Sequence, residues 1–158
     1  MSTQNDLLIA IRQITRAIDM SSKRLVKSAG LTAPQFLVLQ TLSITEPKKP
    51  SDIAKEVYLS QATVTSIVDR LSKAELVRRE KSETDRRVIN IYLTGEGKNR
   101  MKNAPPLLQE NFTKQFDGLD RWEQTLLLSS LQRLAAMMNA EEIDAAPILE
   151  VGDLTQDI

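Results

Sequence analysis

The sequence predicts a mainly α-helical chain that carries one small β-hairpin, in the order of a winged helix-turn-helix. Three observations predict this fold class. Two short stretches with apolar residues at helical spacing follow each other closely between residues 51 and 77. Two β-rich stretches with alternating side chains come next, at residues 77–82 and 86–94. Long apolar helical stretches flank this region, at about residues 5–29 and 95–140.

The first helix is predicted from apolar residues at helical spacing that begin at Leu7 and continue to Leu25. Gly30 follows, which is typical of the position after a helix end. Thr32 is expected to cap the second helix, with Pro34 in its first turn. The inward side chains of the second helix are predicted to be Phe36, Leu37, Leu39 and Leu42.

The next two helices are expected to form the helix-turn-helix. Pro50 or Ser51 opens the first of them, as a first-turn proline or an N-cap. Its apolar side chains share one helical face: Ile53, Ala54, Val57 and Tyr58. A tight corner at Leu59 and Ser60 follows, and the Ser60 hydroxyl is expected to cap the second helix. The inward stripe of that helix is predicted to be Val64, Ile67, Val68, Leu71 and Leu76.

The outward face of this second helix has the composition that a DNA-recognition helix needs. Its side chains are Gln61, Thr63, Thr65, Ser66, Asp69, Arg70 and Lys73. The N-terminal ones are short and form hydrogen bonds, so they permit close approach to base edges in a major groove. An ordinary solvated helix face is also polar, and these residues alone do not separate the two interpretations.

A cationic hairpin follows and favours the DNA-binding interpretation. Two antiparallel strands joined by residues 83–86 are predicted, because Val88, Asn90 and Tyr92 alternate against Ile89, Ile91 and Leu93. The hairpin's cations are Arg78, Arg79, Lys81, Arg86 and Arg87. An arginine at a slender tip can enter a minor groove, and Asp85 is expected to hold the guanidinium of Arg87. The alternative is an edge hairpin whose charges prevent aggregation.

The C-terminal third is expected to be helical scaffold. Thr94 can cap a helix that begins near Gly95, and Pro105 and Pro106 then force a kink or a restart, with Asn103 as a candidate cap. A last helix is predicted over residues 120–139. Its apolar side chains lie near one face: Trp122, Leu126, Leu127, Leu131, Leu134 and Met138. We expect this face to pair across a dimer, the alternative being packing within one subunit.

These features together resemble the MarR family of bacterial regulators. The wing pattern DRRVINIYLT, with Asp85, Arg87, Leu93 and Thr94, is similar to that family's, as are TAPQFLVLQTL and TVTSIVDRLSKAELVRR. The resemblance covers about residues 7–138. It implies a homodimer with a winged helix-turn-helix lobe at about residues 32–94 and dimerisation helices at 5–29 and 95–140. It also implies a repressor that occludes promoters at a pseudo-palindromic operator in double-stranded DNA.

The expected contacts with DNA divide into three groups. Base contacts in the major groove are predicted for Gln61, Thr63, Thr65, Ser66 and Arg70. The wing residues Asp85, Arg86 and Arg87 are predicted to act at the minor groove, with Arg87 inserted. Phosphate contacts, which add affinity without sequence information, are predicted for Lys73, Arg78 and Arg79.

Charge is distributed unevenly along the chain. Residues 141–158 contain six of the 21 acidic residues and no Lys or Arg, so residues 1–140 carry a net charge of +6. This gives a cationic body and an acidic tail. The tail also contains apolar side chains that are expected to dock on the dimer, while Asp153 and Asp157 stay solvated; these are Ile148, Leu149, Val151 and Leu154. The tail further resembles those of MarR-type repressors of compatible-solute (ectoine) synthesis genes, which suggests control of osmotic-stress genes.

Several classes of function are excluded or disfavoured. The chain has no Cys and no His, which excludes thiol redox sensing, Cys/His metal sites and imidazole catalysis. An enzyme would have to use Ser129 and Ser130 with a Lys, or Glu141 and Glu142, and neither pair is in a promising setting; no cofactor is expected. The absence of a transmembrane run or signal peptide leads us to expect a cytoplasmic protein.

Two questions stay open at this point. A winged helix can instead be a protein-interaction module without sequence-specific DNA binding, although the polar outward face disfavours it. An effector, small-molecule or ionic, is expected by resemblance in a crevice around residues 11–24, Phe36 and residues 101–108. No group of residues there indicates its identity.

Overall fold

The computed structural model describes residues 2–143 and 145–155 of the 158-residue chain. Seven helices and one hairpin are present in these ranges. Their order is α1 Thr3–Ala29, α2 Ala33–Ile44, α3 Pro50–Val57, α4 Gln61–Lys73, β1 Val77–Lys81, β2 Ile89–Leu93, α5 Gly95–Lys102, α6 Leu108–Asp117 and α7 Arg121–Met137. The strands are antiparallel, with Val77 paired to Leu93 and Lys81 to Ile89. The predicted mainly helical fold with one small hairpin is confirmed.

Local side-chain chemistry sets most helix boundaries. Thr32 accepts a hydrogen bond from the backbone N–H of Gln35 at 3.4 Å, and the Gln35 side chain accepts from the Thr32 N–H at 3.0 Å. Ser60 caps α4 in the same way, accepting from the N–H of Thr63 at 3.1 Å. Gly30 ends α1 in the left-handed conformation, with φ of 64°. The predicted caps are confirmed at these positions.

The core lies within the helix-turn-helix lobe and is centred on α2. Leu39 of α2, Ile53 of α3 and Ile91 of β2 are completely buried. The predicted inward stripe of α4 is buried at Val64, Ile67, Val68 and Leu71. Leu76 is buried as well, but it follows the end of α4 at Lys73 and is not part of the helix. Because α2 packs against α3, α4, α5 and β2, it fixes the orientation of the helix-turn-helix relative to the hairpin.

Tyr58 departs from the prediction that it lies on the apolar face of α3. Its side chain is 75 % exposed. The reason is that α3 ends at Val57 and Tyr58 is its C-cap in the left-handed conformation, with φ of 57°. The helical periodicity therefore stops one residue before Tyr58, and its side chain leaves the buried face.

The paired prolines end α5 and start a new helix, as expected for one of the two predicted outcomes. Asn103 is the C-cap of α5. The next helix, α6, begins at Leu108, and its N-cap Leu107 makes no side-chain capping bond. Asn103 thus caps the helix that ends rather than the helix that restarts, because four residues, two of them prolines without an N–H, separate it from α6.

The terminal helices leave a large apolar surface uncovered. Within α7, all of which the structure describes, no residue is buried, and Leu131 is 54 % exposed. Other large apolar side chains exposed on α1, α6 and α7 are Leu7, Leu8, Ile9, Ile14, Met20, Phe112, Trp122, Leu126, Leu127 and Leu128. Packing of the α7 face within one subunit was the alternative interpretation, and the exposure of these side chains does not agree with it.

In the described ranges, no helix is both long and apolar enough to cross a membrane.

Gly97 occupies a position that excludes any side chain. A Cβ atom there would lie 2.3 Å from the carbonyl oxygen of Leu76 and 2.7 Å from Cδ1 of Leu93. We therefore expect Gly97→Ala to lower the free energy of unfolding by about 1–3 kcal/mol, the usual effect of overpacking. Urea unfolding followed by circular dichroism measures this. Gly95→Ala is the matched control, since a Cβ there meets nothing within 4 Å; equal midpoints for both variants would contradict the expectation.

Candidate nucleic-acid interface

The polar face of α4 is accessible along its length. Gln61, Thr65 and Lys73 are exposed, and Thr63, Ser66 and Arg70 are half-buried. The hydroxyl of Thr65 donates to the backbone oxygen of Gln61 at 2.8 Å, and those of Ser60 and Thr63 share a hydrogen bond of 2.8 Å. The hydroxyl oxygens keep free lone pairs, so the first turns of α4 present acceptors to the exterior.

The tip of the hairpin is an ordered turn that carries two exposed arginines, Arg86 and Arg87. The N–H of Ser82 donates to the oxygen of Val88 at 2.9 Å, and the N–H of Val88 donates to the oxygen of Asp85 at 2.9 Å. These bonds close the turn. The side chain of Arg87 thus projects from a turn whose backbone geometry is fixed by these hydrogen bonds.

Asp85 acts on the backbone and not on the guanidinium of Arg87, which corrects the prediction. Its Oδ1 accepts a hydrogen bond from the backbone N–H of Arg87 at 3.0 Å. A short aspartate side chain reaches the N–H two residues ahead more readily than it reaches a guanidinium at the end of a long chain. Asp85 therefore shapes the turn from which Arg87 projects.

Arg79 joins the hairpin to α4. Its guanidinium forms an ion pair and hydrogen bond with Asp69, which lies on the outward face of α4. Arg78 pairs with Glu80 and lies over the ring of Tyr92, 4.2 Å from the ring centroid. Both arginines predicted to contact phosphate thus have protein partners, whereas the side chain of Lys73 is exposed and makes no hydrogen bond or ion pair in the described part of the chain.

The loop after α2 anchors the base of the hairpin, a role that the sequence did not indicate. Lys48 exchanges two backbone hydrogen bonds with Ile91, of 3.2 and 2.8 Å. A carboxylate oxygen of Glu46 accepts from the N–H of Leu93 at 2.8 Å. The Lys48 side chain is 9 % exposed and pairs with Glu56 of α3 at 2.5 Å. The only sequence signal was an unusually charged loop between Pro47 and Pro50.

A cavity of about 320 Å³ lies beside the second half of α1. Its lining residues are Ser22, Lys23, Val26, Lys27, Thr32, Pro34, Glu150, Val151, Asp153 and Leu154. It overlaps the predicted effector crevice only at Ser22 and Lys23, since neither Phe36 nor residues 101–108 line it. The tail supplies one wall, which the sequence analysis did not anticipate.

The residues considered for enzyme chemistry are not assembled into a site. Ser129 and Ser130 are exposed on α7, and Glu141 and Glu142 are exposed in the tail. Among the described residues, no group of three or more acidic side chains is placed to hold a metal ion. Asp144 and Asp157, counted among the tail's charges, lie outside the described residues.

Comparison with known proteins identifies the family. The model of the MarR family matches residues 31–89, which include α2, α3, α4 and the hairpin tip. The HTH-type transcriptional regulator YsmB of Bacillus subtilis (strain 168), itself uncharacterised, is 30 % identical over 129 residues, or 82 % of this chain and 88 % of YsmB. The chain belongs to the MarR family. It is a helix-turn-helix transcriptional regulator, and YsmB, too, is named as a regulator and not as an enzyme.

Two solved structures share the architecture. A MepR-like protein crystallised with pseudoligands superposes with a TM-score of 0.60 and 29 % identity, covering 87 % of this chain and 97 % of that protein. The transcriptional regulator BldR of Sulfolobus solfataricus gives a TM-score of 0.55 and 26 % identity over 87 % of this chain and 99 % of BldR. The likeness therefore extends beyond the lobe to the flanking helices. None of these three proteins is named for compatible-solute genes, so that narrower resemblance stays a prediction.

Proposed function

We propose that this MarR-family chain is a homodimeric repressor that binds double-stranded DNA at a pseudo-palindromic operator and occludes a promoter. One observation carries the proposal. The accessible polar face of α4 and the exposed arginines of the hairpin tip belong to one unit, because Asp69 of α4 pairs with Arg79 of β1. Such a unit can present a helix to a major groove and an arginine to the adjacent minor groove together.

The proposed DNA contacts are assigned from the position of each side chain and from its partners within the protein. Gln61, Thr63, Thr65, Ser66 and Arg70 face the exterior of α4 and are proposed to contact base edges. Arg87, with Arg86 beside it and Asp85 shaping the turn, is proposed to enter the minor groove, where the negative potential is concentrated. Lys73, Arg78 and Arg79 are proposed to neutralise phosphates, and Arg78 and Arg79 would do so from positions that their protein partners hold.

Dimerisation is proposed through the uncovered apolar surface of the terminal helices. A monomer rarely exposes so many large apolar side chains without a partner. A second copy of the chain would cover α7 and the first half of α1. In this division, residues 32–94 form the DNA-binding lobe, residues 5–29 and 95–140 form the dimerisation region, and residues 141–158 form the acidic tail.

Selection of genomic DNA fragments by the purified protein tests the proposal. Fragments of DNA from the source organism are incubated with the protein at moderate salt, recovered and sequenced. Enrichment of a short inverted repeat with half-sites about one helical turn apart is the expected result. Enrichment upstream of compatible-solute synthesis genes would further support the osmotic-stress role, which rests on the resemblance of the tail. Recovery no better than bulk DNA would contradict sequence-specific binding.

The second candidate function is a protein-interaction module. The exposed Tyr58 at the corner between α3 and α4 favours it, since aromatic side chains are enriched at protein interfaces. If the protein forms a dimer but enriches no DNA sequence, the protein-interaction function would be favoured over sequence-specific DNA binding.

Lys73→Ala separates phosphate contacts from base contacts. Lys73 is exposed in the last turn of α4, and loss of one phosphate contact should weaken binding to operator and random DNA by the same factor. We expect the slope of log affinity against log salt to fall by about one unit. Fluorescence anisotropy over a salt series measures both quantities. An unchanged slope would remove Lys73 from the interface.

A further inference from the structure

Tyr58 lies at the corner of the helix-turn-helix, and its side chain is 75 % exposed. It is the residue that follows α3, and it precedes Ser60, the N-cap of α4, by two positions. Its hydroxyl makes no hydrogen bond with the residues that the structure describes. The aromatic side chain therefore stabilises the single chain neither by burial nor by hydrogen bonding.

The backbone of Tyr58 adopts a conformation that disfavours side chains. Its φ is 57°, in the left-handed region, where a Cβ atom crowds the backbone and glycine is the usual residue at a helix end. The fold requires the bend itself, because the N–H of Leu59 donates to the oxygen of Ala54 at 3.1 Å and the Leu59 side chain is buried. Glycine would permit the same bend with less strain. Folding therefore explains the conformation but not the tyrosine.

The position of Tyr58 between the two helices indicates DNA as the partner of its side chain. A strained residue that gains nothing within its own chain is a candidate for a functional contact. In a helix-turn-helix, the first helix crosses the DNA backbone and the N-terminal residues of the second contact base edges. Tyr58 follows the first of these helices, α3, and lies just before the second, α4. It is thus placed where the backbone beside the groove would pass, and tyrosine hydroxyls are among the groups that bind phosphate oxygens.

We propose that Tyr58 is a further DNA-contact residue, whose hydroxyl donates a hydrogen bond to a backbone phosphate beside the major groove that receives α4. The inference rests on the proposed DNA-binding function. The side chain has only two torsion angles, so ordering it on DNA costs little conformational entropy. The contact fixes the register of α4 in the groove and carries no sequence information itself. Because the hydroxyl is neutral, it releases no counterion from the phosphate, in contrast to a lysine.

Tyr58→Phe removes the hydroxyl and keeps the ring. We expect it to weaken binding to operator and random-sequence duplexes by the same factor, about three- to tenfold, with an unchanged slope of log affinity against log salt. The melting temperature should stay the same, since the hydroxyl has no partner in the described part of the chain. Fluorescence anisotropy over a salt series measures affinity and slope. Lys73→Ala is the reference in that series, because loss of a cation should lower the slope.

Tyr58→Gly separates stability from DNA binding. Relief of the left-handed strain should raise the melting temperature by about 2–4 °C, while DNA binding weakens at least as much as in Tyr58→Phe. Glu75→Gly is the matched control at the other end of α4, because Glu75 is exposed and also has a positive φ, of 59°. It should gain similar stability and lose no affinity, since removal of a carboxylate does not oppose the approach of a phosphate.

Opposite effects of Tyr58→Gly on stability and on DNA affinity are the expected result. Full-strength binding by Tyr58→Phe would overturn the inference, and full-strength binding by Tyr58→Gly as well would leave the side chain to a protein partner. Equal losses of affinity in Tyr58→Gly and Glu75→Gly would also overturn it, since a backbone change near α4 would then explain both. So would a Tyr58→Gly variant less stable than the unaltered protein, because the ring would then support the fold. If the unaltered protein binds no duplex at any salt, the proposed function itself is overturned.

Discussion

Leu127→Glu combined with Leu131→Glu is expected to leave the protein folded but monomeric. Both side chains are exposed in the single chain, Leu131 by 54 %, so the change breaks no contact within the core of the lobe. Two carboxylates buried at a dimer interface without partners would cost several kcal/mol, more than a modest interface can offset. Sedimentation or light scattering gives the mass in solution, and circular dichroism gives the helix content.

Loss of the dimer should also reduce operator affinity by at least about a hundredfold, because the second half-site no longer benefits from the effective concentration that linkage provides. Ser129→Glu with Gln132→Glu serves as the control, since it adds the same charge at exposed polar positions of α7. A dimer that survives the leucine substitutions would show that the apolar face of α7 is not the subunit interface. A dimer lost in both double variants would point to net charge instead.

Arg87→Ala is expected to weaken operator binding by about 1–3 kcal/mol, or about five- to 150-fold, as removal of an inserted groove contact does. The side chain projects from a turn whose backbone Asp85 and Val88 hold, so it reaches the groove with little loss of conformational freedom. The loss should be larger on the operator than on random DNA, because a narrow minor groove depends on sequence. Titration of both duplexes by anisotropy measures the difference.

Three companion variants separate geometry from charge. Lys81→Ala removes one positive charge from the end of β1, just before the turn, and should affect both duplexes slightly and equally. Asp85→Asn keeps the acceptor for the Arg87 N–H and should bind nearly as well as the unaltered protein, whereas Asp85→Ala should resemble a partial loss of Arg87. Operator binding by Arg87→Ala at full strength would exclude the wing from sequence recognition.

Features that depend on neighbouring residues were predictable from the sequence. Thr32 and Ser60 cap helices because a side-chain oxygen lies within reach of an N–H three residues ahead, and this reach is independent of the rest of the fold. The buried stripe of α4 followed from helical periodicity in the same way. Tyr58 was mispredicted because periodicity continues in the sequence where the backbone has already turned into the left-handed conformation.

Features that join distant parts of the chain were not predictable. Lys48 and Ile91 are 43 positions apart, and Gln109 meets Pro147 and Leu149 of the tail, 38 and 40 positions away. The ion pair between Asp69 and Arg79 was not predictable either, since the sequence placed both residues on polar surfaces without indicating that they meet. Charge complementarity across a fold has many solutions in one sequence, and only packing selects among them. The proposed DNA contacts are likewise not selected by the sequence alone, because they depend on a partner outside the chain.

The anchoring of the hairpin has a consequence for how the protein measures distance along DNA. Asp69 and Arg79 brace the hairpin from one side, and Glu46 and Lys48 brace it from the other. Each lobe would then behave as one rigid body, and any adjustment to the spacing of the half-sites must come from movement between the two lobes of the dimer. Inserting one base pair between the half-sites shifts the second one by about 3.4 Å and rotates it around the duplex. A lobe braced at the base of its hairpin cannot follow that rotation by pivoting the hairpin against α4, so the spacing of the half-sites would be read as strictly as their sequence.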